Sequence, residues 1–210
     1  MKTIDWRLCL VADSEAAGNR NLISIIREAV DAGVTLVQLR GKNLEIRAFL
    51  NLAVQASEFL KSRNIPLIIN DRIDVALACE ADGVHLGQED LPLPIARKIM
   101  RKERLIGISV NTIKEAEESE AEGADYIGVG PIFYTSSKED LRSILGFEGL
   151  KAIRNKVKIP ILAIGGINAE NAGDVIVSGA DGIAVISAIM DAKNITEATR
   201  NLLEAIRTLT

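Results

Sequence analysis

Eight short, β-branched apolar runs recur along this chain, each followed by a segment with helical periodicity. The runs are LCLVA, TLVQLR, PLIIND, GVHLG, LIGISV, YIGVG, PILAIGG and GIAVIS. Their length and β-branching read as buried strands. Segments such as NLISIIREAVDAG, EIRAFLNLAVQASEFLKSRN and IKEAEESEAEG place apolar or Ala residues three and four apart, and read as helices. Eight strand–helix units in 210 residues leave about 26 residues each, close to the economy of a (β/α)8 barrel. The expectation is therefore an α/β protein, a single (β/α)8 TIM barrel spanning residues 1–210. An open doubly wound sheet would want GxGxxG after its first strand, where this chain has ADSEAAGNR.

A faint repeat supports the barrel. DAGVTLVQL, CEADGVHLG, AEGADYIGVG and VSGADGIAVIS each place small residues, and often Asp, just before a strand. Gly suits the helix-to-strand turn, and an acidic side chain there bonds backbone amides. Asp82, Asp125 and Asp181 are accordingly read as structural, because catalysis in a barrel belongs at the other strand ends.

Composition removes several classes of function. With 48% hydrophobic and 26% charged residues the chain has material for a core and is not disordered. A net charge of −4 argues against a general basic surface for nucleic acid, and 3% aromatic residues leave little for base stacking. Cys9 and Cys79 sit in apolar runs without zinc-site spacing and read as small buried hydrophobes. The N-terminal segment has no signal-peptide pattern and no run of 18 apolar residues occurs, so a cytoplasmic, non-membrane protein is expected.

The strand C-terminal ends, where barrel chemistry gathers, are polar. The second strand ends in Gln38, Arg40 and Lys42, the third in Asn70, Asp71 and Arg72, and the fourth runs into Gln88 and Asp90. The fifth ends in Ser109 and Asn111, and the sixth leads to Thr135, Ser136, Ser137 and Lys138. Asp71 and Asp90 follow neighbouring strands, and a strand spacing of ~4.8 Å lets two carboxylates approach one ion. Oxygen ligands favour Mg²⁺, which takes one or two carboxylates plus phosphate oxygens. The competing reading makes NDR and QED simple helix caps. Arg40, Lys42 and Lys138 at the same mouth favour anion chemistry, with the cations assisting a diphosphate leaving group.

IGGIN after the seventh strand and VISAI after the eighth occupy the usual barrel phosphate position, with the amides of Gly166 and Ser187 aimed at an anion. Two anion sites suggest two phosphorylated substrates joined in the mouth. His85, the single histidine, lies inside a strand and reads as a satisfied wall residue rather than a general base. No Ser-His-Asp or Cys-His arrangement is recognisable.

The ordered set QLRGK, NDR, DGVHLGQEDLP, ISVNT, ADYIGVGPIFYTSSK, AIGGIN and GIAVISAI closely resembles the signature of the thiamine-phosphate synthase family. The resemblance implies a transferase joining hydroxymethylpyrimidine diphosphate to thiazole phosphate, or its carboxylate, with release of diphosphate. It places Gln38, Leu39, Arg40, Gly41, Lys42 and Asn70 around the pyrimidine diphosphate and Asp71 and Asp90 on Mg²⁺. Ser109 and Lys138 complete the diphosphate grip, with Arg40 and Lys42 sharing the catalytic charge. It gives Thr135, Ser136 and Ser137 to the thiazole phosphate, with Gly166, Ile186 and Ser187 as its cradle. Two positions depart from the family pattern: Asn111 stands where His is frequent and Ser137 where Thr is. Asn111 is expected to position diphosphate, or a water bonded to it, through its amide. The rivals are a related thiazole tautomerase, which needs a titratable base near the reacting carbon, and a non-catalytic phosphometabolite-binding barrel.

Overall fold

The structure is a computed structural model, which describes residues 3–135 and 143–207. The eight strands are β1 (Leu8–Asp13), β2 (Leu36–Arg40), β3 (Leu67–Asn70), β4 (Gly83–Leu86), β5 (Leu105–Val110), β6 (Tyr126–Val129), β7 (Ile161–Ile164) and β8 (Gly182–Val185). They pair in parallel and in chain order, and β8 closes on β1. Around them run α1 (Ser14–Ala17), α2 (Leu22–Ala32), α3 (Ile46–Arg63), α4 (Ile73–Ala78) and α5 (Leu93–Met100). The ring continues with α6 (Ile113–Ala121), α7 (Gly146–Arg154), α8 (Ala172–Val177), α9 (Ser187–Met190) and α10 (Ile195–Arg207). All eight strands expected from the sequence are present, and the fold is the expected (β/α)8 barrel.

Alternation along each strand divides the apolar residues between two layers. Leu8, Leu10 and Ala12 of β1 pack outward with the helices, while Cys9 and Val11 turn inward with Leu36, Ile68, Tyr126, Leu162 and Ala184. Trp6 closes the bottom of the inner layer, its ring 4.9 Å from that of Tyr126. Gly107 makes room for Tyr126, since a Cβ on it would lie 2.1 Å from the phenol ring. Both cysteines are free and buried, as expected, and burial pushes the Cys9 thiol up to about 12.

The small-residue repeat has a structural meaning at the barrel base. The side chains of Thr35, Asp82, Asp125 and Asp181, each just before an even-numbered strand, accept an N–H from the preceding odd-numbered strand. The donors are Leu8 at 3.1 Å, Leu67 at 2.9 Å, Ile106 at 2.7 Å and Ile161 at 2.8 Å. The same four residues return their backbone N–H to the carbonyls of those donors. The structural reading of the three aspartates holds, and Thr35 fills the fourth place with a hydroxyl.

Candidate active site

The working end of the barrel is its C-terminal mouth, where a cavity of about 290 Å³ opens between the strand tips. Its floor is the top of the inner layer, formed by Val11, Tyr126, Leu162 and Ala184. Polar groups enter from β2 to β5: Gln38 and Arg40, Asn70, His85 and Ser109. The opposite wall combines backbone with apolar side chains, from Gly165, Gly166, Ile186 and Ser187 to Phe133, Tyr134, Ile144 and Ile167.

Arg40 and Gln38 alternate inward on β2, and both are buried. The Arg40 guanidinium pairs with Asp13 at the tip of β1, and both side chains are at least nine-tenths buried. Asp13 also accepts the amides of Glu15 and Ala16 at 2.7 and 3.2 Å, so it is held by the start of α1. A cation fixed in this way loses little conformational freedom on meeting an anion. Asp13 went unrecognised in the sequence, although an Asp opening SEAA after a buried strand is a helix-cap signal.

Three neighbours of Arg40 stand elsewhere than expected. The Leu39 side chain belongs to the outer layer, because alternation turns it to the helices, and Leu39 does not line the cavity. Gly41 lies beneath α3, where an added Cβ would meet the Phe49 ring at 2.7 Å. Lys42 is exposed and lies outside the cavity lining.

Asp71 and Asp90 follow adjacent strands, as expected, without lining the cavity itself. Asp71 adopts a left-handed φ of 63°, and its N–H donates to the His85 carbonyl at 2.8 Å, tying the tip of β3 to β4. One Asp90 carboxylate oxygen accepts the Gly87 amide at 2.6 Å. Neither aspartate stands at a helix cap: the cap positions belong to Arg72 and Pro92, which make no side-chain capping bond. The capping reading of NDR and QED therefore fails.

Asn111 has a different task from the one expected. Its buried amide donates to the carbonyls of Gly130 at 3.0 Å and Ser143 at 2.9 Å, while its carbonyl oxygen accepts the Ser143 hydroxyl at 3.3 Å. Both amide donors are thus spent on backbone, and Asn111 ties Ser143 to Gly130 at the end of β6. His85 is the satisfied wall residue expected, between the Tyr126 hydroxyl and the Ser109 hydroxyl. Thr135 lines the cavity, whereas Ser136, Ser137 and Lys138 lie outside the described residues.

The Gly165–Gly166 turn depends on glycine. Both residues have positive φ, 102° and 65°, and a Cβ on Gly166 would stand 2.5 Å from the Tyr134 carbonyl. Phe133 donates to Gly165 at 3.0 Å, and Asn171 donates its side-chain amide to Gly166 at 3.0 Å. Ser187 follows as the first residue of α9, with Ile186 in the cap position. This wall of the cavity is made of close-packed backbone, which is why side-chain chemistry alone reveals little of it.

Fold and cavity together define a (β/α)8 barrel of the enzyme class, with a polar cavity at the C-terminal ends of its strands, where barrel enzymes place their chemistry. The family model for thiamine monophosphate synthase matches residues 8–189. The chain belongs to that family, and its activity is that of a thiamine-phosphate synthase in thiamine biosynthesis. It is 48% identical over 199 residues to the thiamine-phosphate synthase of Clostridium novyi, covering 95% of this chain and 98% of that one. It is 47% identical over 201 residues to that of Moorella thermoacetica, with 96% of each chain covered. Among solved structures, the thiamine phosphate pyrophosphorylase of Pyrococcus furiosus superposes with a TM-score of 0.89 at 38% identity, over 98% of this chain and 97% of that one. Among the described residues no helix is long and apolar enough to cross a membrane.

Proposed function

We propose that the mouth couples 4-amino-2-methyl-5-(diphosphooxymethyl)pyrimidine to thiazole phosphate, or its carboxylate, by dissociative substitution. The observation that carries this reading is the division of one cavity into a polar half, with Arg40, Asn70 and Ser109, and a backbone half at Gly166 and Ser187. A small barrel cavity so divided suits two phosphorylated partners held at once.

Asp71 and Asp90 would hold Mg²⁺. Two carboxylates that follow adjacent strands match an ion that completes its shell with phosphate oxygens. When bound, Mg²⁺ supplies positive charge to the diphosphate oxygens. Arg40 and Ser109 grip the diphosphate from the cavity wall. Lys42 and Lys138, cations near the same strand ends in sequence, add to that charge as the leaving group departs.

The exocyclic carbon–oxygen bond breaks with its electron pair leaving on diphosphate, and the aminopyrimidine ring carries the resulting cation. The thiazole nitrogen lone pair then forms the new carbon–nitrogen bond, which gives the thiazolium with no net proton transfer from thiazole phosphate; from the carboxylate, CO2 leaves with its bonding electron pair left on the ring carbon, which takes a proton from water. Gln38 and Asn70 orient the pyrimidine, Thr135, Ser136 and Ser137 bond the thiazole phosphate, and Gly166, Ile186 and Ser187 cradle it. The apolar wall of Phe133, Ile144 and Ile167 excludes water that would trap the cation. Asp71, Asp90 and Lys138, with the non-titratable Asn111 where His is frequent in the family, favour this reading over tautomerisation, which needs a base at carbon.

An electron-withdrawing trifluoromethyl group in place of the pyrimidine methyl tests the substitution. The reading predicts a fall in single-turnover rate of at least about a hundredfold, or 2.7 kcal/mol of barrier. An unchanged rate would assign an associative displacement instead.

A further inference from the structure

His85 is a buried ionisable group lining the cavity that the substitution leaves unused, and its surroundings are highly specified. It sits on β4 with its ring between two hydroxyls on neighbouring strands, Nδ1 3.0 Å from Tyr126 Oη and Nε2 2.9 Å from Ser109 Oγ. Gly128 leaves the space for it, since a Cβ there would lie 2.9 Å from the imidazole Cε1. Gln88 holds Ser109 from outside by donating to its carbonyl at 2.8 Å. The row of Tyr126, His85 and Ser109 thus runs from the barrel floor to the polar half of the cavity.

A neutral imidazole has one donor and one acceptor, so the direction of the row is fixed at its buried end. Tyr126 is fully buried, and burial raises its phenol well above the ordinary value, so it keeps its proton. A buried O–H requires an acceptor, and Nδ1 stands within hydrogen-bond distance.

We propose that His85 is a positioning residue, held by Tyr126 as the tautomer protonated at Nε2, so that it donates to Ser109 Oγ and turns the Ser109 hydroxyl proton into the cavity. Ser109 is then a fixed donor toward the anion in the mouth, a preorganised contact that costs no reorganisation when charge develops there. The opposite direction, from Ser109 through His85 to Tyr126, would present only a lone pair to that anion. This assignment rests on the reading of Ser109 as part of the diphosphate grip.

Because His85 is the only histidine in the chain, its two ring nitrogens are unambiguous in ¹⁵N spectra of the labelled whole protein. At pH 8, above the ordinary histidine range, the expected result is a proton-bearing Nε2 and a pyridine-type Nδ1. A proton on Nδ1 overturns the proposal. Tyr126→Phe keeps the ring over Trp6 and removes only the hydroxyl. It should mix the tautomers and lower kcat roughly tenfold, the scale of one lost hydrogen bond, with KM for the pyrimidine diphosphate little changed. Wild-type tautomer and kcat both retained in Tyr126→Phe would also overturn it. Ser109→Ala should lose activity that Ser109→Thr restores. The wild-type spectrum needs no turnover, so it decides alone if Tyr126→Phe does not fold. An inactive wild-type enzyme with Nε2 protonated would instead sink the assigned reaction.

Discussion

Asp90 accepts a backbone amide and, on the proposed function, would hold Mg²⁺ with the same carboxylate, and a substitution can separate the two roles. One oxygen accepts the Gly87 amide, a bond that an amide side chain can preserve. Asp90→Asn should therefore melt near wild type yet lose at least about a hundredfold in turnover at limiting Mg²⁺, if the ion supplies several kcal/mol of charge stabilisation. Melting by circular dichroism and a Mg²⁺ titration of the rate would show it, and near-normal activity would remove Asp90 from the metal site. Asn111 makes the contrasting case. Asn111→Ala strips donors from the Gly130 and Ser143 carbonyls, so about 1–3 kcal/mol of stability should be lost, measured by denaturant unfolding. Asn111→His, with a differently shaped donor set, should destabilise as well and should bring no large rate gain. A rate gain of ~10² or more with a new limb near pH 6.5 would instead restore acid catalysis at that position.

At the level of elements, the barrel base carries the side-chain clamps and the strand tips carry the polar groups that line the cavity. Asp82 pins the first amide of β3 at the base, far along the strand from the cavity. Asp82→Ala should lower the melting temperature by several degrees, as about 1–3 kcal/mol would in a chain of this size, while kcat/KM stays unchanged. A matching loss of activity at full folding would break this division. Gly166 is the converse. Forcing φ of 65° on Ala costs about 1–2 kcal/mol before its Cβ meets the Tyr134 carbonyl, so Gly166→Ala should raise KM for the thiazole phosphate tenfold or more. Unaltered KM in steady-state assays would place that phosphate elsewhere. Strands were legible because burial on both faces leaves a continuous apolar run, and polar tips because charges interrupt it. Less legible were features that alternation or packing decides. Leu39 between two inward polar residues reads like a site residue until the pleat turns it outward. Asp13 acquires meaning only when closure brings β1 beside β2, and the Tyr126–His85–Ser109 row spans three strands.

Over the whole molecule, the barrel lets one short chain converge groups from distant sequence positions on a single mouth. Arg40, Asn70, Ser109 and Ser187 line one cavity through strand order alone. The rigid base, with its four side-chain clamps, frees the tips to be polar without unravelling the sheet. The central claim is that this mouth joins two phosphorylated substrates while excluding water. Its most direct test is a coupling assay on the purified whole protein with the pyrimidine diphosphate, thiazole phosphate and Mg²⁺, following thiamine phosphate and diphosphate together. The account predicts equal amounts of both products, dependence on both substrates and loss of turnover when Mg²⁺ is chelated. Diphosphate released without thiamine phosphate, or no reaction of the pyrimidine at all, would contradict it.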